Sequence, residues 1–474
     1  MDSIEELPLF VDLDGTYTKA DLLLESFFIA IKKDPLILFK CFFWLLSGIA
    51  VLKAKLAHHA HINVSLLPLN QEFSNYLLEE KSKGRKIFLA TASNEAYAKE
   101  IVKHSNVFDG YIASTDTLNL KGKEKLKKIS EISENFAYAG NDEIDFNLFE
   151  KAQESLLVNP SYGARKKAHR YKIHRCFDSV PSDIKVWVKQ LRIYQWVKNF
   201  LIFVPLIVSG NFINYLDVFA TFAAFSAFSL LASSTYLLND LLDLESDRAH
   251  ARKKYRPLAA GTISIKNALV VGCLLFFSSL TIAFYFNLAF VIVMLSYLLL
   301  TLFYSFKLKQ YVGMDVVCLA LLYTIRIVAG AAVIGVLVSF WLFAFSVFVF
   351  LSLALIKRCA ELKAMLKSGK ERVKGRDYTV DDFVVLESFG TSSAMLAVLM
   401  FCFYINNNVL TNQYQQPNIL WLIVPGLCYW LMRMWIKTHR GEMHDDPIVF
   451  SMKDKGSLIT ISFCGFVTLA AQLL

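Results

Sequence analysis

The sequence has few cysteines, no paired-cysteine motif and no basic start, and each absence removes a class of protein. Its eight cysteines are scattered over 474 residues without a Cys-x-x-Cys pair or a metal-ligand spacing. They predict small apolar fillers in a reducing compartment. The first residues, MDSIEELPLFVDLDGT, are acidic where a secretory signal peptide is basic, so we expect no signal peptide. Only 19% of the residues are charged and 55% are hydrophobic, which argues against a chain that is soluble throughout.

Long apolar runs recur from about residue 200 onward, whereas the first 190 residues have the mixed composition of a soluble domain. Runs of roughly 18–22 residues are long enough to cross a bilayer as helices. We predict nine membrane-spanning helices, near 199–213, 217–238, 265–285, 287–306, 314–336, 338–356, 387–405, 418–436 and 457–473.

The loops between these helices alternate in charge. One set has no Lys or Arg, and the other is rich in both, at about 239–264, 307–313, 357–386 and 437–456. The positive-inside rule places the basic set in the cytoplasm. We therefore predict a multi-pass protein of the cytoplasmic (inner) membrane whose N-terminal domain and charged loops face the cytoplasm. The net charge of +9 follows from this topology and suits an anionic membrane surface, so no nucleic-acid partner is expected.

The first basic loop opens with three regularly spaced carboxylates. In NDLLDLESDR, Asp240, Asp243 and Asp247 are three and four residues apart, which places them on one face of a continuing helix. They repel each other unless a cation lies among them, and Mg²⁺ prefers oxygen ligands and often shares them with phosphates. Asn239 adds a neutral ligand or donor. The basic residues that follow predict phosphate-binding donors: Arg248, His250, Lys253, Lys254 and Arg256.

Other segments on the same predicted face carry residues of the same kind. Arg326 lies within an apolar helix, where a charge is expensive and indicates function. The remaining candidates are Arg192, Gln195, Trp196, Lys198, Asn199, Tyr304, Ser305, Lys307, Lys309, Asp315, Lys357, Arg358, Glu361, Lys374, Arg376 and Tyr378. A single lysine among them is better explained by topology than by binding, but together they predict a basic chamber for an anionic substrate with several phosphates.

The aspartate motif resembles the first aspartate-rich motif of the UbiA-type intramembrane prenyltransferase superfamily. That family also has nine helices with cytoplasmic active-site loops. Six ordered motifs over about residues 185–474 narrow the resemblance to its polyprenyl-phosphate (decaprenyl-phosphate) phosphoribosyltransferase branch: LRIYQWVKNFLIFVPL, NDLLDLESDRAHARKKYRPLAAG, YSFKLK, KRCAEL, GRDYT and RGEMHDDPIVFSMKD. The second motif of ordinary prenyltransferases, DxxxD, is reduced to Asp315 with Leu319 four residues on, which favours the phosphoribosyl branch.

This resemblance implies a donor, an acceptor and a cofactor. The donor would be phosphoribosyl pyrophosphate (PRPP), the acceptor a polyprenyl phosphate lipid, and the cofactor Mg²⁺, held by the three aspartates on the leaving pyrophosphate. The lipid phosphate would attack C1 of the ribose without a strong general base. The residues that the resemblance assigns to phosphate binding are Lys198, Lys253, Arg256, Lys357 and Arg358.

The N-terminal segment carries a second set of motifs. PLFVDLDGT is a strand that ends in Asp12 and Asp14, a pair suited to a nucleophile and a general acid/base near Mg²⁺. It resembles the first motif of the haloacid dehalogenase (HAD) phosphatases. The resemblance continues in KIFLATAS, with Thr91 on phosphoryl oxygen, and in NLKGKEKLKKI, with Lys125, or else Lys123, as the charge-balancing lysine.

The last HAD motif departs from the family pattern. In FAYAGNDEIDF, Asn141 stands where an aspartate is usual, and Asp142 and Asp145 remain. Asn141 and Asp142 are candidate Mg²⁺ ligands, the first with less charge than an aspartate. The departure leaves two readings open: an active phosphatase, or a degraded one kept for folding or regulation.

The predicted organisation has three parts. An α/β HAD-like domain spans 1–160, with a membrane-associated helical cap inserted at about 21–80. A basic linker follows at 161–190, and a UbiA-like all-α bundle of nine transmembrane helices spans 191–474. Within the cap, the apolar run 34–57 predicts an interfacial helix or a membrane-docking hairpin. A tenth span there would put Asp12 and Thr91 on opposite sides of the membrane.

These observations predict a bifunctional enzyme that transfers 5-phosphoribose to a lipid phosphate and then removes the 5-phosphate. One alternative is a prenyltransferase that joins a prenyl diphosphate to an aromatic or other acceptor beside a regulatory or degraded HAD domain. The other is a transporter or lipid-binding membrane protein. The sequence leaves open the lipid length, the phosphatase substrate and the oligomeric state, a homo-oligomer included.

Overall fold

The computed structural model describes residues 7–178, 183–367, 376–406, 414–443 and 446–473. The chain divides into two compact units. The first contains residues 1–191 together with 237–271, and the second contains 192–236 together with 272–474. The first unit is therefore built from two separate stretches of sequence.

The first unit alternates strands and helices, as the sequence predicts. In chain order its elements begin with β1 Leu9–Val11, α1 Leu22–Lys33, α2 Ile37–Leu46, α3 Ile49–His59, α4 Gln71–Ser82, β2 Ile87–Asn94, α5 Glu95–His104 and β3 Gly110–Ser114. They continue with α6 Lys123–Ile132, β4 Ala137–Gly140, α7 Phe146–Phe149, β5 Glu154–Val158, α8 Tyr162–Lys167, β6 Arg175–Phe177 and α9 Ile184–Gln190.

The six strands form one parallel sheet in the order β3-β2-β1-β4-β5-β6. Central strand β1 is buried on both faces, which is why its sequence is an unbroken apolar run. Leu9 and Val11 pack into the core on one side of the sheet and Phe10 into the core on the other. The carboxyl ends of β1, β2 and β4 therefore meet at one edge.

The sheet extends past residue 160, into the segment predicted as a basic linker. β6 pairs in parallel with β5, and Phe177 is fully buried against the rings of Phe73 and Tyr76. The strand is hard to find in the sequence because three lysines and three arginines lie between residues 165 and 175.

The cap carries an exposed apolar hairpin. Helices α2 and α3 meet at Gly48, whose φ of +117° allows the sharp reversal. Large apolar side chains on α2 and the turn are more than one-third exposed: Leu36, Leu38, Phe39, Phe42, Phe43, Leu45, Leu46 and Ile49. We call this surface the apolar hairpin. Neither helix reaches the length of a membrane span.

Most of the remaining helices are long and apolar, and three are short, with five residues each. They are α10 Val204–Val208, α11 Tyr215–Leu242, α12 Leu244–Arg248, α13 Ile265–Phe286, α14 Leu288–Phe306, α15 Met314–Val333, α16 Phe340–Lys367, α17 Phe383–Ile405, α18 Ile423–His439, α19 Pro447–Ser451 and α20 Lys455–Leu473. Within the described part of the chain, eight helices could cross a membrane, or up to nine if the bent pair Ile184–Gln190 and Ile193–Val208 is one span.

The first of the nine predicted spans differs most from its prediction. Residues Ile193–Phe203 form a 3₁₀ helix, and Pro205 lies at the start of the short helix α10. Arg192 precedes it in the left-handed region, with a φ of +52°. Hydropathy finds the apolar run but cannot register that this backbone departs from an α-helix.

Candidate functional site

Asp12 lies at the carboxyl end of β1 in a buried polar chain. Its Oδ1 accepts a hydrogen bond of 2.7 Å from Lys125 Nζ, which also donates to Tyr138 Oη at 3.1 Å. Tyr138 in turn donates to Asp145 at 2.9 Å. Burial raises the pKa of Asp12 to about 6, although the charge of Lys125 opposes this rise. The lysine predicted to balance charge thus contacts the predicted nucleophile.

Asp14 is held on both oxygens. Leu22 N–H at the start of α1 donates to Oδ1 at 2.8 Å, and Ser93 Oγ donates to Oδ2 at 2.5 Å. Burial, reinforced by the nearby charge of Asp21, raises the pKa of Asp14 to about 7. A carboxyl group that carries its proton near neutral pH can act as a general acid and then as a base.

The other predicted HAD residues lie at the same edge with different orientations. Thr91 is fully buried, and its Oγ1 accepts a 2.9 Å bond from Ser93 N–H. Asn141 packs so closely against Gly15 that a Cβ at Gly15 would lie 2.1 Å from the amide nitrogen. Asp142 is half-buried, and its side chain caps the next turn and accepts from Ser161.

The residues at the carboxyl edge of the sheet suit Mg²⁺, with Asn141 in the place of one aspartate of the HAD motif. Asp12 offers a carboxylate and Asn141 an amide oxygen in contact with the same loop, and both are oxygen ligands of the kind that Mg²⁺ takes. Asp142 is committed to its cap, and the two oxygens of Asp145 bond Tyr138 and two backbone amides. When bound, Mg²⁺ would neutralise charge on a phosphoryl group at Asp12.

Lys53 of the cap was missed by the sequence reasoning. Its Nζ donates to Ala92 O at 2.6 Å and to Asn119 at 2.8 Å. It lines a small cavity with Ser93 and Tyr97. Burial lowers the pKa of Lys53, and the charge of Asp14 partly restores it. The available signal was a lysine that interrupts the apolar run of the hairpin.

The aspartate motif brings two of its three carboxylates together. Asp240 is in the last turn of α11 and Asp247 in α12, and both are buried. Arg256 Nη1 donates to Asp240 at 3.0 Å and to Asp247 at 2.5 Å. Gln190 donates to the second oxygen of Asp240 at 2.8 Å. A guanidinium nitrogen therefore occupies the point where the two carboxylates converge.

Asp243 has a partner of its own. It is the one residue between α11 and α12. Lys32 of α1 pairs with Asp243 at 2.5 Å. Among the residues described, no three His, Cys, Asp or Glu side chains are grouped closely enough to hold a metal. In this motif, the Asp240 and Asp247 carboxylates suit a divalent cation at the position that the Arg256 guanidinium occupies. Such a cation would offset charge on a diphosphate.

The basic residues after the motif have separate partners. Arg248 forms a fork with Glu25 of α1, at 2.8 and 2.6 Å. Lys253 Nζ is 3.7 Å from Asp247, Lys254 lies over the ring of Tyr255, and the backbone of Arg252 donates to His250 Nδ1. The backbone carbonyl of Asn239 accepts a hydrogen bond from the backbone N–H of Asp243.

In the second unit, two predicted lysines share one carboxylate that was not predicted. Asp446 Oδ2 accepts from Lys198 at 2.8 Å and from Lys357 at 3.2 Å, and Tyr323 donates to the same carboxylate at 3.0 Å. Burial raises the pKa of Asp446, but Lys357 and Lys198 together hold it below its usual range. We call Lys198, Lys357, Tyr323 and Asp446 the lysine cluster.

Arg326, the arginine predicted from its apolar surroundings, is buried in the bundle. Its Nε donates to Asn199 Oδ1 at 2.9 Å. Three rings surround its guanidinium, with centroids 5.2–5.5 Å away: Phe228, Tyr297 and Tyr323. Aromatic faces stabilise a desolvated guanidinium. Arg192 makes the same type of contact with Tyr236, at 4.9 Å.

Arg358 is bound by carboxylates rather than turned toward open space. It is 1% exposed, and it pairs with Asp315 and Glu361, each at 2.5 Å. Tyr378 donates to Asp315 at 2.5 Å, and Arg376 pairs with Glu361 at 2.5 Å. Tyr304 Oη accepts from Arg358 at 3.3 Å. This network suits a structural role for Arg358 and Asp315 better than direct phosphate binding.

The remaining candidates are placed without a shared centre. Trp196 donates to Ser233 at 3.0 Å, and Ser305 bonds within its own helix. Gln195 and Lys309 are half-buried on 3₁₀ turns. Lys307 is exposed at the end of α14, and Lys123 is exposed at the start of α6. Lys374 falls outside the described residues.

Asp446 and Glu25 are the acidic residues that sequence reasoning overlooked. Asp446 precedes Pro447 and caps α19, an Asp-Pro signal that indicates a helix start. Asp446 lies within the motif RGEMHDDPIVFSMKD, but its partners Lys357 and Lys198 are 89 and 248 residues away. Glu25 is separated from Arg248 by 223 residues.

Comparison with known proteins gives three informative likenesses. The chain is 36% identical over 467 residues to the uncharacterized protein y4nM of Sinorhizobium fredii, which covers 97% of this chain and 90% of that one. It is 37% identical to the decaprenyl-phosphate phosphoribosyltransferase of Mycolicibacterium smegmatis, over 40% of this chain and 62% of that one. A UbiA homolog from Archaeoglobus fulgidus, solved with GPP and Mg²⁺, is 18% identical, covers 60% of this chain and 99% of that one, and has a TM-score of 0.46.

The sequence profile of one family extends over more than half of the chain. It matches residues 200–454, which include the aspartate motif, the network around Arg358 and every member of the lysine cluster except Lys198. With eight long apolar helices among the described residues, or up to nine with the bent pair, the protein is an integral, multi-pass membrane protein. The chain belongs to the UbiA prenyltransferase family.

Proposed function

We propose that this protein transfers 5-phosphoribose from PRPP to a polyprenyl phosphate and releases pyrophosphate. The observation that carries the proposal is the state of Asp315. An ordinary second aspartate motif needs a carboxylate available for metal, but Asp315 is fully buried and bonded to Arg358 and Tyr378. The 37% identity of this chain to a decaprenyl-phosphate phosphoribosyltransferase, over 40% of its length, also supports phosphoribosyl transfer.

The transfer needs charge stabilisation rather than a strong base. An oxygen of the lipid phosphate forms a bond to C1 of the ribose while the C1–O bond to pyrophosphate breaks, and the electron pair leaves with pyrophosphate. Asp240 and Asp247 would hold Mg²⁺, which supplies charge for the leaving group. Lys198 and Lys357 would offer donors to phosphate oxygens, because Asp446 neutralises only part of their charge.

We also propose that the HAD-like domain removes the 5-phosphate from the lipid-linked product. Asp12 would attack the phosphorus, and Asp14 would donate a proton to the departing ribose oxygen. Asp14 would then take a proton from the water that releases inorganic phosphate. The Lys125–Asp12 contact and the raised pKa of Asp14 support an active site over a degraded one.

The apolar hairpin would dock this domain onto the lipid bilayer. The chain is that of a multi-pass membrane protein, and eight large apolar side chains of the hairpin would otherwise face water. Lys40 lies among them and suits an anionic lipid surface. Fluorophores at Phe42 and at exposed Tyr162, in a background without reactive cysteines, would test it: only the probe at Phe42 should be quenched by brominated acyl chains.

One experiment addresses both activities. Purified protein receives ribose-labelled PRPP, Mg²⁺ and a polyprenyl phosphate, and the lipid products are weighed by mass spectrometry. We expect a lipid-linked ribose from the wild type and a 5-phosphorylated lipid that accumulates with Asp12→Asn. Asp240→Ala should abolish both products, while the exposed control Asp381→Asn should form them normally.

The family membership favours one competing function, prenyl transfer from a prenyl diphosphate. Labelled prenyl diphosphate with an aromatic acceptor tests it in the same preparation. Turnover of that donor without turnover of PRPP would replace the proposed function. Release of pyrophosphate without any inorganic phosphate would refute the phosphatase half alone.

A further inference from the structure

Helix α1 links the two charged regions of the first unit. It belongs to the HAD-like domain, and Leu22 N–H at its start donates to Asp14. The rest of the helix contacts the segment that carries the aspartate motif, although that segment lies more than 200 residues further along the chain. Both stretches belong to one compact unit.

The central contact is a buried fork. Both oxygens of Glu25 accept from the two terminal nitrogens of Arg248, and the side chains are 2% and 8% exposed. Arg248 Nε donates to Ala259 O at 3.0 Å. One guanidinium therefore joins α1, α12 and the end of the loop, in the bidentate geometry that fixes orientation.

Further contacts lie on either side of this fork. Lys32, in the last turn of α1, pairs with Asp243 at 2.5 Å. Asp21, the cap of α1, pairs with Lys266 at 3.2 Å. Gly261 packs so closely against the HAD-like domain that a Cβ there would lie 2.7 Å from Lys19 Cβ. The contacts thus extend along the segment from residue 243 to residue 266.

We propose that α1 positions the aspartate motif, with Glu25 acting through Arg248 as the positioning residue. Arg248 is the neighbour of Asp247 on the five-residue helix α12. Fixing the Arg248 side chain sets the rotation of α12 and hence the direction of the Asp247 carboxylate toward Arg256 and Asp240. In this proposal Arg248 fixes the conformation of α12, whereas Asp247 takes part in the reaction. The inference rests on the proposed function only in treating this segment as part of the transferase.

The burial of the fork makes it a determinant of conformation. If Glu25 loses its charge, the Arg248 guanidinium remains buried without a counter-ion, a state far more costly than the loss of an exposed pair. The segment can relieve this by opening toward water. Exposed pairs such as Lys128–Glu131 have no such consequence.

Hydrogen exchange in the full-length protein tests the proposal without any substrate. In Glu25→Gln, we expect peptides from 244–262 to exchange roughly tenfold faster, since local opening sets their exchange rate. Peptides from β2 and β4 should exchange as in the wild type. Glu131→Gln, a matched change in an exposed pair, should alter neither region. Unchanged exchange of 244–262 in Glu25→Gln would overturn the proposal.

A charge swap covers the case in which Glu25→Gln loosens the whole unit. The double variant Glu25→Arg with Arg248→Glu re-forms the pair with reversed charges. Recovery of slow exchange in 244–262 supports the positioning role, and exchange as fast as in the single variants refutes it.

Pyrophosphate release supplies the functional readout. In Glu25→Gln we expect kcat to fall about tenfold with little change in KM for PRPP, because the carboxylates are misplaced rather than lost. Equal kcat in Glu25→Gln and Glu131→Gln would overturn the functional part of the proposal. If the wild type turns over no PRPP, the proposed function fails, and the exchange data still decide whether α1 positions the segment.

Discussion

The pKa values of Asp12 and Asp14 predict a narrow pH optimum for phosphate release. The acidic and basic sides of the pH profile should shift independently of each other. In the proposed mechanism, Asp12 must be ionised to attack, and Asp14 must be protonated to donate. Their pKa values of about 6 and about 7 place the optimum of kcat between them. About 60% of the enzyme is in the active protonation state at pH 6.5 and about 9% at pH 8, so phosphate release should fall roughly sevenfold between them.

Asp21→Asn should move only the basic limb. Asparagine keeps the cap of α1, where the Asp21 side chain accepts from Leu24 N–H. It removes the charge that, after burial, does most to raise the pKa of Asp14. If the basic limb moves down by roughly one pH unit, activity at pH 8 falls about a further tenfold, while activity at pH 5, where Asp12 is limiting, stays the same.

The assay is release of phosphate from saturating p-nitrophenyl phosphate by the full-length protein across pH 5 to 9. Asp34→Asn, at an exposed carboxylate of the same domain, is the matched control and should leave both limbs in place. Equal losses at pH 5 and pH 8 in Asp21→Asn would refute the reasoning. So would an unchanged basic limb, which would mean that Asp14 is not the group titrating there.

Three further predictions concern single residues. Asp446→Ala leaves Lys198 and Lys357 without their shared carboxylate, so the unfolding free energy should fall by about 3 kcal/mol; an unfolding midpoint equal to that of Asp381→Ala would contradict this. Gly330→Ala places a Cβ 2.0 Å from Ile202 O and should cost about 2 kcal/mol or more, whereas Gly465→Ala, which meets no atom within 4 Å, should be neutral in the same thermal assay. Lys53→Met should raise KM for p-nitrophenyl phosphate about tenfold through loss of a cation at the site; a change in kcat alone would argue against a binding role.

Local signals were enough to predict the elements and much of the HAD-like edge. The apolar run of β1 followed by Asp12 and Asp14 predicts a strand end, and parallel pairing then brings Thr91 and Lys125 to the same edge. Periodicity and length locate most membrane helices within a few residues. The family resemblance is confirmed by the profile match over residues 200–454.

Two of the differences from prediction share a physical cause, which is pairing between charged side chains. Spacing alone places Asp243 beside Asp240, but Asp243 lies at a break between two helices and pairs with Lys32. A basic residue such as Arg358 suggests a hydrogen-bond donor to phosphate until its carboxylate partners, Asp315 and Glu361, are known. The first predicted span differs because hydropathy carries no information about Pro205 and a 3₁₀ backbone.

The discontinuity of the first unit has a consequence for biosynthesis. Residues 237–271 complete this unit, yet the ribosome makes them only after residues 193–236, which include most of the membrane-spanning helix α11. Until Arg248 emerges, Glu25 has no counter-ion, and closing that chain loop of more than 200 residues carries an entropic cost. We therefore expect the HAD-like domain to reach its final stability only after the chain has begun to enter the membrane. A domain that matures in this order would be most active where its proposed lipid substrate is found.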